Sequence, residues 1–204
     1  MVWANTSVYG TRDAGRAWYE YLKKSLTGRG FTESILERGL YYYVDPSSKQ
    51  TLAVLHTHVD DFLIARRSSR LPAFDRMFED LKVVIFLKRC DSSDFVHCGK
   101  QIKVTDKGIS ICQSRSAERI GDMDFQKTSS RRLSESPLVV DEQRNYYETL
   151  GKLMWLTTQT RIDLSVDISL AAQKRAQPLI LDGRKLNRLA ARARSTATQG
   201  IFIN

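Results

Sequence analysis

The sequence predicts an α+β protein. Three observations carry this. A helical repeat near the start is followed by strand-like runs separated by turn residues. A second helix and a second hairpin pattern follow. The last third reads as helices alone, so strands and helices are segregated along the chain.

Taken in order, "RDAGRAWYEYLKKSLTGRGF" (12–31) reads as a helix. Asp13 can cap it, and Trp18, Leu22 and Leu26 recur every fourth residue, with Ala17 and Tyr21 widening the face. Gly28 and Gly30 are stop signals. "GLYYYVD", the turn "PSSKQ" and "TLAVLHTHV" form a hairpin pattern. "DDFLIA" follows at once, so a tighter turn is expected at the two aspartates and an antiparallel three-strand unit results. "LPAFDRMFEDLKVVI" reads as a second helix, with Pro72 suited to its first turn and Phe74, Met77, Phe78 and Leu81 as its stripe. "DFVHCGKQIKVTDKGISICQ" reads as a hairpin turning at "TDKG". Residues 126–141 read as a loop. Helices are expected over 146–198, with Tyr147, Leu150, Leu153, Met154 and Leu156 on one and Leu164, Val166, Ile168 and Leu170 on the next.

Composition narrows the class. The 204 residues are 42% hydrophobic and 27% charged, enough for a packed core. A formal net charge of +9 suits an acidic partner such as nucleic acid. The excess concentrates between Lys174 and Arg194, where seven basic residues face the single acid Asp182 on a helical segment. Arg184, Lys185, Arg188 and Arg192 there are candidates for contact with a phosphate backbone. Cys90, Cys98 and Cys112 are odd in number and lack paired metal-ligand spacing, which fits a reducing compartment. With no signal-peptide pattern and no long apolar run, an intracellular protein, cytoplasmic or nuclear, with no membrane partner is expected.

The chemistry concentrates in "TLAVLHTHVDDFLIA", where His56, His58, Asp60 and Asp61 fall within six positions. The local window leaves three readings. Adjacent acids at a strand end can be a solvated turn. Strand alternation would put His56, His58 and Asp60 on one face, as a zinc hydrolase requires, but only His97 remains elsewhere as a further histidine. Paired aspartates on a tight hairpin can also supply hard oxygens for two-metal nucleotidyl transfer, whose metals lie about 3.5–4 Å apart.

The neighbouring blocks favour the third reading. "YGTRDAGRAWYEYL" resembles the helix-opening motif of Ty1/copia-type retrotransposon reverse transcriptases, matching at Tyr9, Gly10, Ala14, Arg16, Ala17 and Trp18. "GFTESILERGLYYYVD" is similar to the family's Gly-Phe…Asp-x-x-Leu-Tyr passage, and "HVDDFLIA" to its Tyr-Val-Asp-Asp box. "GKQIKV…GISICQ" and "YYETLGKLMWLTTQTRIDLSVDISLAAQ" resemble two later blocks, in the family's order.

This resemblance implies a fold, an activity and partners. It implies a partial reverse transcriptase palm over 1–113, a thumb start and linker over 114–141, and a helical thumb/connection region over 142–204. Asp60 and Asp61 would be the catalytic, metal-binding carboxylates, with Mg²⁺ or Mn²⁺ as cofactor. Tyr9, Gly10, Arg16 and His58 would contact nucleotide or template, with His58 at the family's Tyr position. RNA template, DNA primer and dNTP would be the partners, with the remainder of a Pol polyprotein a further associate. A third catalytic aspartate is expected on a palm strand before Tyr9, and "MVWANTSV" contains no acid. The chain is therefore expected to be an N-terminally truncated copy that does not polymerise by itself. The non-catalytic alternative is a basic nucleic-acid-binding remnant.

Overall fold

The computed structural model describes residues 11–59, 61–67, 72–85, 93–125 and 134–204. Tyr9, Gly10, Asp60 and Cys90 lie outside these residues. The chain divides into two compact units, residues 1–91 and 92–204.

In the first unit, β1 (Phe31–Glu33), β2 (Leu40–Val44), β3 (Thr51–His58) and β4 (Asp61–Arg66) form one antiparallel sheet in that order. The helices α1 (Ala14–Thr27) and α2 (Pro72–Ile85) supply Leu22, Leu26, Phe74 and Leu81 to a core completed by Phe31, Tyr41, Ala53 and Leu55. Each such buried aliphatic or aromatic side chain contributes about 1.5–3 kcal/mol. The every-fourth-residue stripe therefore fixes which side of α1 meets the sheet. Two details depart from expectation. Tyr21 is exposed and stacks on Trp18 rather than entering the core, and Ala17 is also exposed. Asp13 stands at the N-cap, where its carbonyl accepts the Ala17 N–H, but its carboxylate caps nothing.

Gly39 joins the loop after β1 to β2 with a φ of +81°. Its carbonyl accepts the Thr57 N–H at 2.8 Å. A β-carbon there would lie 2.9 Å from Thr57 Oγ1, so only glycine allows this approach of β2 to β3.

The second unit holds the sheet β5 (Asp94–His97), β6 (Lys100–Thr105), β7 (Gly108–Cys112) and β8 (Gly200–Ile203), also antiparallel in that order. The expected hairpin is thus three strands. Besides the turn in "TDKG", a second falls at Cys98 and Gly99, both with left-handed φ values of +48° and +73°. β8 pairs with β7, tying the hairpin to residues 200–203.

The helices of this unit are α3 (Ser114–Glu118), α4 (Val140–Gln159), α5 (Ser165–Gln173) and α6 (Ile180–Ser195), with a 3-10 turn over Ile162–Leu164. The expected loop 126–141 is shorter at its C-terminal end, because α4 begins six residues before Tyr146. Glu142 causes this: its carboxylate accepts the Val139 N–H at 3.0 Å, and Asp182 does the same for Leu179 ahead of α6. Tyr146, Leu150, Leu153, Leu156, Leu164, Ile168, Ile180 and Leu186 are buried together. Tyr147, Met154, Val166 and Leu170 are exposed, against expectation. Residues 164, 166, 168 and 170 alternate with a strand's period, and of the two pairs four apart only Leu164 and Ile168 lie on the buried face of a helix.

Cys112 is a buried free thiol. Among the described residues no helix is long and apolar enough to cross a membrane.

Candidate functional site

The acidic segment lies on the hairpin joining β3 to β4. His58 pairs with Asp61, so the connection takes only two residues, 59 and 60. Two-residue hairpins need a left-handed backbone at their first central position. Val59 adopts it, with a φ of +52°. A β-branched residue in that region is strained by roughly 1–3 kcal/mol. The strand ends at His58, so the alternation that would align His56, His58 and Asp60 does not run on through the turn.

The register instead places His58 directly across from Asp61 and His56 across from Leu63, on the face opposite buried Leu55. Asp61 and His58 are exposed and His56 is half-buried. Asp61 is thus the described carboxylate at the turn, open to solvent at the start of β4. A carboxylate is the ligand type that hard cations such as Mg²⁺ take, whereas zinc favours nitrogen and sulfur donors. Among the described residues, no three His, Cys, Asp or Glu side chains converge as a metal site.

A residue from α1 holds this turn. The indole Nε1 of Trp18 donates to the Val59 carbonyl at 2.9 Å. Trp18 also packs against the core of the first unit. One side chain therefore links the helix motif to the acidic turn. The fourfold repeat marks Trp18 as a core residue; its polar role has no signature in spacing.

Glu33 at the end of β1 ties the other side of α1. Its Oε1 accepts the Tyr19 hydroxyl at 2.6 Å and its Oε2 pairs with Lys23 at 2.7 Å. The Gly39 N–H donates to Oε1 at 3.4 Å. Burial alone would raise this carboxyl, but the bonds from Lys23, Tyr19 and Gly39 outweigh it and hold Glu33 below the usual carboxylate range. The hydrogen bond to Glu33 raises the Tyr19 hydroxyl in turn. Burial, followed by the Glu33 charge, raises that of Tyr41.

Arg16 is exposed on the first turns of α1. It lines a cavity of about 510 Å³ with Trp18, Arg38, Gly39 and Val59. Arg16 and Val59 of the turn therefore line one hollow.

The basic segment of the second unit lies on α6. Arg184, Lys185, Arg188 and Arg192 are all exposed. Arg192 also reaches Asp163 at 3.7 Å and Asp167 at 3.5 Å, and Arg194 bonds the Ile120 carbonyl and Asp122. Part of the charge excess thus holds the helices together.

The "TQTRID" passage has a structural account. Arg161 is 1% exposed. Its guanidinium grips Asp163 in a two-bond fork at 2.8 and 3.0 Å. It also donates to the Thr196 carbonyl at 3.1 Å and Thr196 Oγ1 at 2.8 Å. Arg161 therefore caps the carbonyl end of α6, where a cation also meets the negative end of the helix dipole. The fork from Arg161 holds Asp163 below the usual carboxylate range, against a smaller opposing effect of burial. Thr160 is hydrogen-bonded to the buried amide of Gln113 at 2.8 Å, which brings the end of β7 to the end of α4.

A two-residue acidic hairpin anchored to a Trp-bearing helix, on an antiparallel sheet backed by two helices, is the geometry on which the comparison with known proteins falls. Residues 1–133 match the model of the family described as reverse transcriptase (RNA-dependent DNA polymerase), and the chain belongs to that family. The match covers the first unit, β5 to β7 and α3, and leaves 134–204 outside it. Neither the curated proteins nor the solved structures gave a match.

Proposed function

We propose that the chain is the palm-to-connection part of a Ty1/copia-type reverse transcriptase, built for RNA-directed DNA polymerisation. The observation that supports this best is the hairpin of Asp60 and Asp61, held by Trp18 of the family's helix motif within the matched residues 1–133. In this reading Asp60 and Asp61 hold Mg²⁺ or Mn²⁺. That ion, when bound, would neutralise charge on the transferring phosphoryl group. Arg16 would meet phosphate of template or nucleotide. The exposed Arg184, Lys185 and Arg188 would follow the duplex backbone of RNA template and DNA primer.

The 204-residue polypeptide made by itself is proposed to be inactive, since Asp60 and Asp61 would hold the metal without the third carboxylate that the family resemblance implies. Primer extension on an RNA template with Mg²⁺ or Mn²⁺ then yields no product. Product that disappears in Asp60→Asn overturns the inactivity. Joining the upstream palm segment of a copia-type polymerase to the chain should restore extension, and Asp61→Asn should remove it again. A folded, template-binding chimera without activity overturns the polymerase reading.

The exposed cationic face of α6 favours a second reading, a basic nucleic-acid-binding remnant without catalysis. Binding that weakens steeply with salt, together with an inactive chimera, selects it.

A further inference from the structure

Two hollows lie beside α1 in the first unit. The one of about 510 Å³ reaches the Val59 turn. The other, of about 710 Å³, extends to Ile35 in the loop after β1. Arg16, Tyr19 and Arg38 line both, so the two adjoin as one groove from the acidic hairpin to that loop.

Among the described residues, Arg16 and Arg38 are the charged residues lining the smaller hollow. The larger contains Glu20 and Glu33, and Glu33 is already paired with Lys23 and bonded by Tyr19. Arg16 and Arg38 are exposed and pair with no acid among the described residues. The loop beside Arg38 also holds Ile35 and Leu36 in water, 99% and 91% exposed. Ser34 Oγ fixes the loop by accepting the Leu36 and Glu37 N–H groups.

Two unpaired guanidinium groups next to two fully exposed aliphatic side chains do not suit a lone anion. They suit a ligand that alternates charge and apolar surface. A polynucleotide strand does so, with phosphates for the arginines and an unstacked nucleoside for the aliphatic pair. We propose that this groove seats a single-stranded polynucleotide, with its phosphates on Arg16 and Arg38 and a nucleoside against Ile35 and Leu36. The assignment rests on the nucleic-acid reading above. It adds Arg38, Ile35 and Leu36, which no motif marks, and it leads the strand past the turn that presents Asp61.

The test is fluorescence anisotropy of the whole chain against a blunt duplex and against the same duplex with a 5′ single-stranded overhang, across a salt series. Arg16→Gln with Arg38→Gln should weaken overhang binding about tenfold and shallow its salt slope by about 1.4, two phosphates at roughly 0.7 each. Blunt-duplex affinity should fall by much less than overhang affinity. Ile35→Ser with Leu36→Ser should weaken overhang binding without altering the slope. Circular dichroism confirms folding of each variant, as all four side chains are exposed. Overhang affinity and slope unchanged in the arginine variant overturn the groove assignment and leave the reverse transcriptase reading standing. Displacement of the overhang by inorganic triphosphate as readily as by oligonucleotide also overturns it, in favour of a site for a free nucleotide. Failure of the unmodified chain to bind either duplex overturns the function reading and the groove together.

Discussion

Trp18 Nε1 lies 2.9 Å from the carbonyl oxygen of Val59, joining positions 41 residues apart. The acceptor belongs to a residue with a φ of +52°, a conformation that a β-branched side chain resists. The strained turn and its hydrogen bond form one device: the helix motif holds the hairpin in the shape that presents Asp61.

Trp18→Phe keeps the ring and removes the donor. It should destabilise the first unit by about 0.5–1.5 kcal/mol, the worth of one hydrogen bond. Amide exchange at residues 57–62 should quicken. Val59→Gly relieves the left-handed strain and should offset the loss in the double variant. Unchanged exchange in Trp18→Phe would show that the indole does not hold the turn.

Gly39→Ala should cost about 1–3 kcal/mol, since alanine must adopt the φ of +81° and press a methyl on Thr57. Urea denaturation measures it. A variant as stable as the parent would mean that β2 can move away from β3 at no cost.

Arg161→Ala should destabilise the second unit by about 1–3 kcal/mol, because it leaves the Ala193 and Thr196 carbonyls unpaired and Asp163 with Arg192 alone. Arg161→Lys should recover only part, as an ammonium cannot reproduce the fork. Equal stability of Lys and Arg variants, read by thermal unfolding, would refute the fork's importance.

Asp163 and Glu33 are both held below the usual carboxylate range in the fold, so their charged forms are favoured by folding. The sign follows: their contribution is present above the unfolded value of about 4 and is lost as pH falls through the lower folded value. Stability should therefore decline below about pH 4, and the decline should be shallower in Asp163→Asn. An identical acid profile in that variant would remove Asp163 from the cause.

Arg184→Gln with Arg188→Gln should lower duplex affinity and shallow the salt slope by about 1.8, two phosphates at roughly 0.9 each. Affinity flat across salt in the parent chain would dismiss backbone contact by α6.

Much of this was open to a reader of the sequence. The repeat of Trp18, Leu22 and Leu26 determined the buried side of α1, and the two aspartates between apolar runs determined a tight turn. Four of the ordered blocks fall within the residues that match the reverse transcriptase family. Local sequence can specify these because helix period, turn chemistry and motif order are properties of neighbouring residues. Tertiary structure decided the rest. Strand β8 pairs with β7, which ends about ninety residues earlier, and Trp18 donates to a carbonyl it reaches only across the fold. Arg161 caps a helix end 35 residues away, and Arg38 lines the same hollows as Arg16. Each depends on long-range packing to bring polar groups together, and a polar group's need for a partner does not name that partner in the chain.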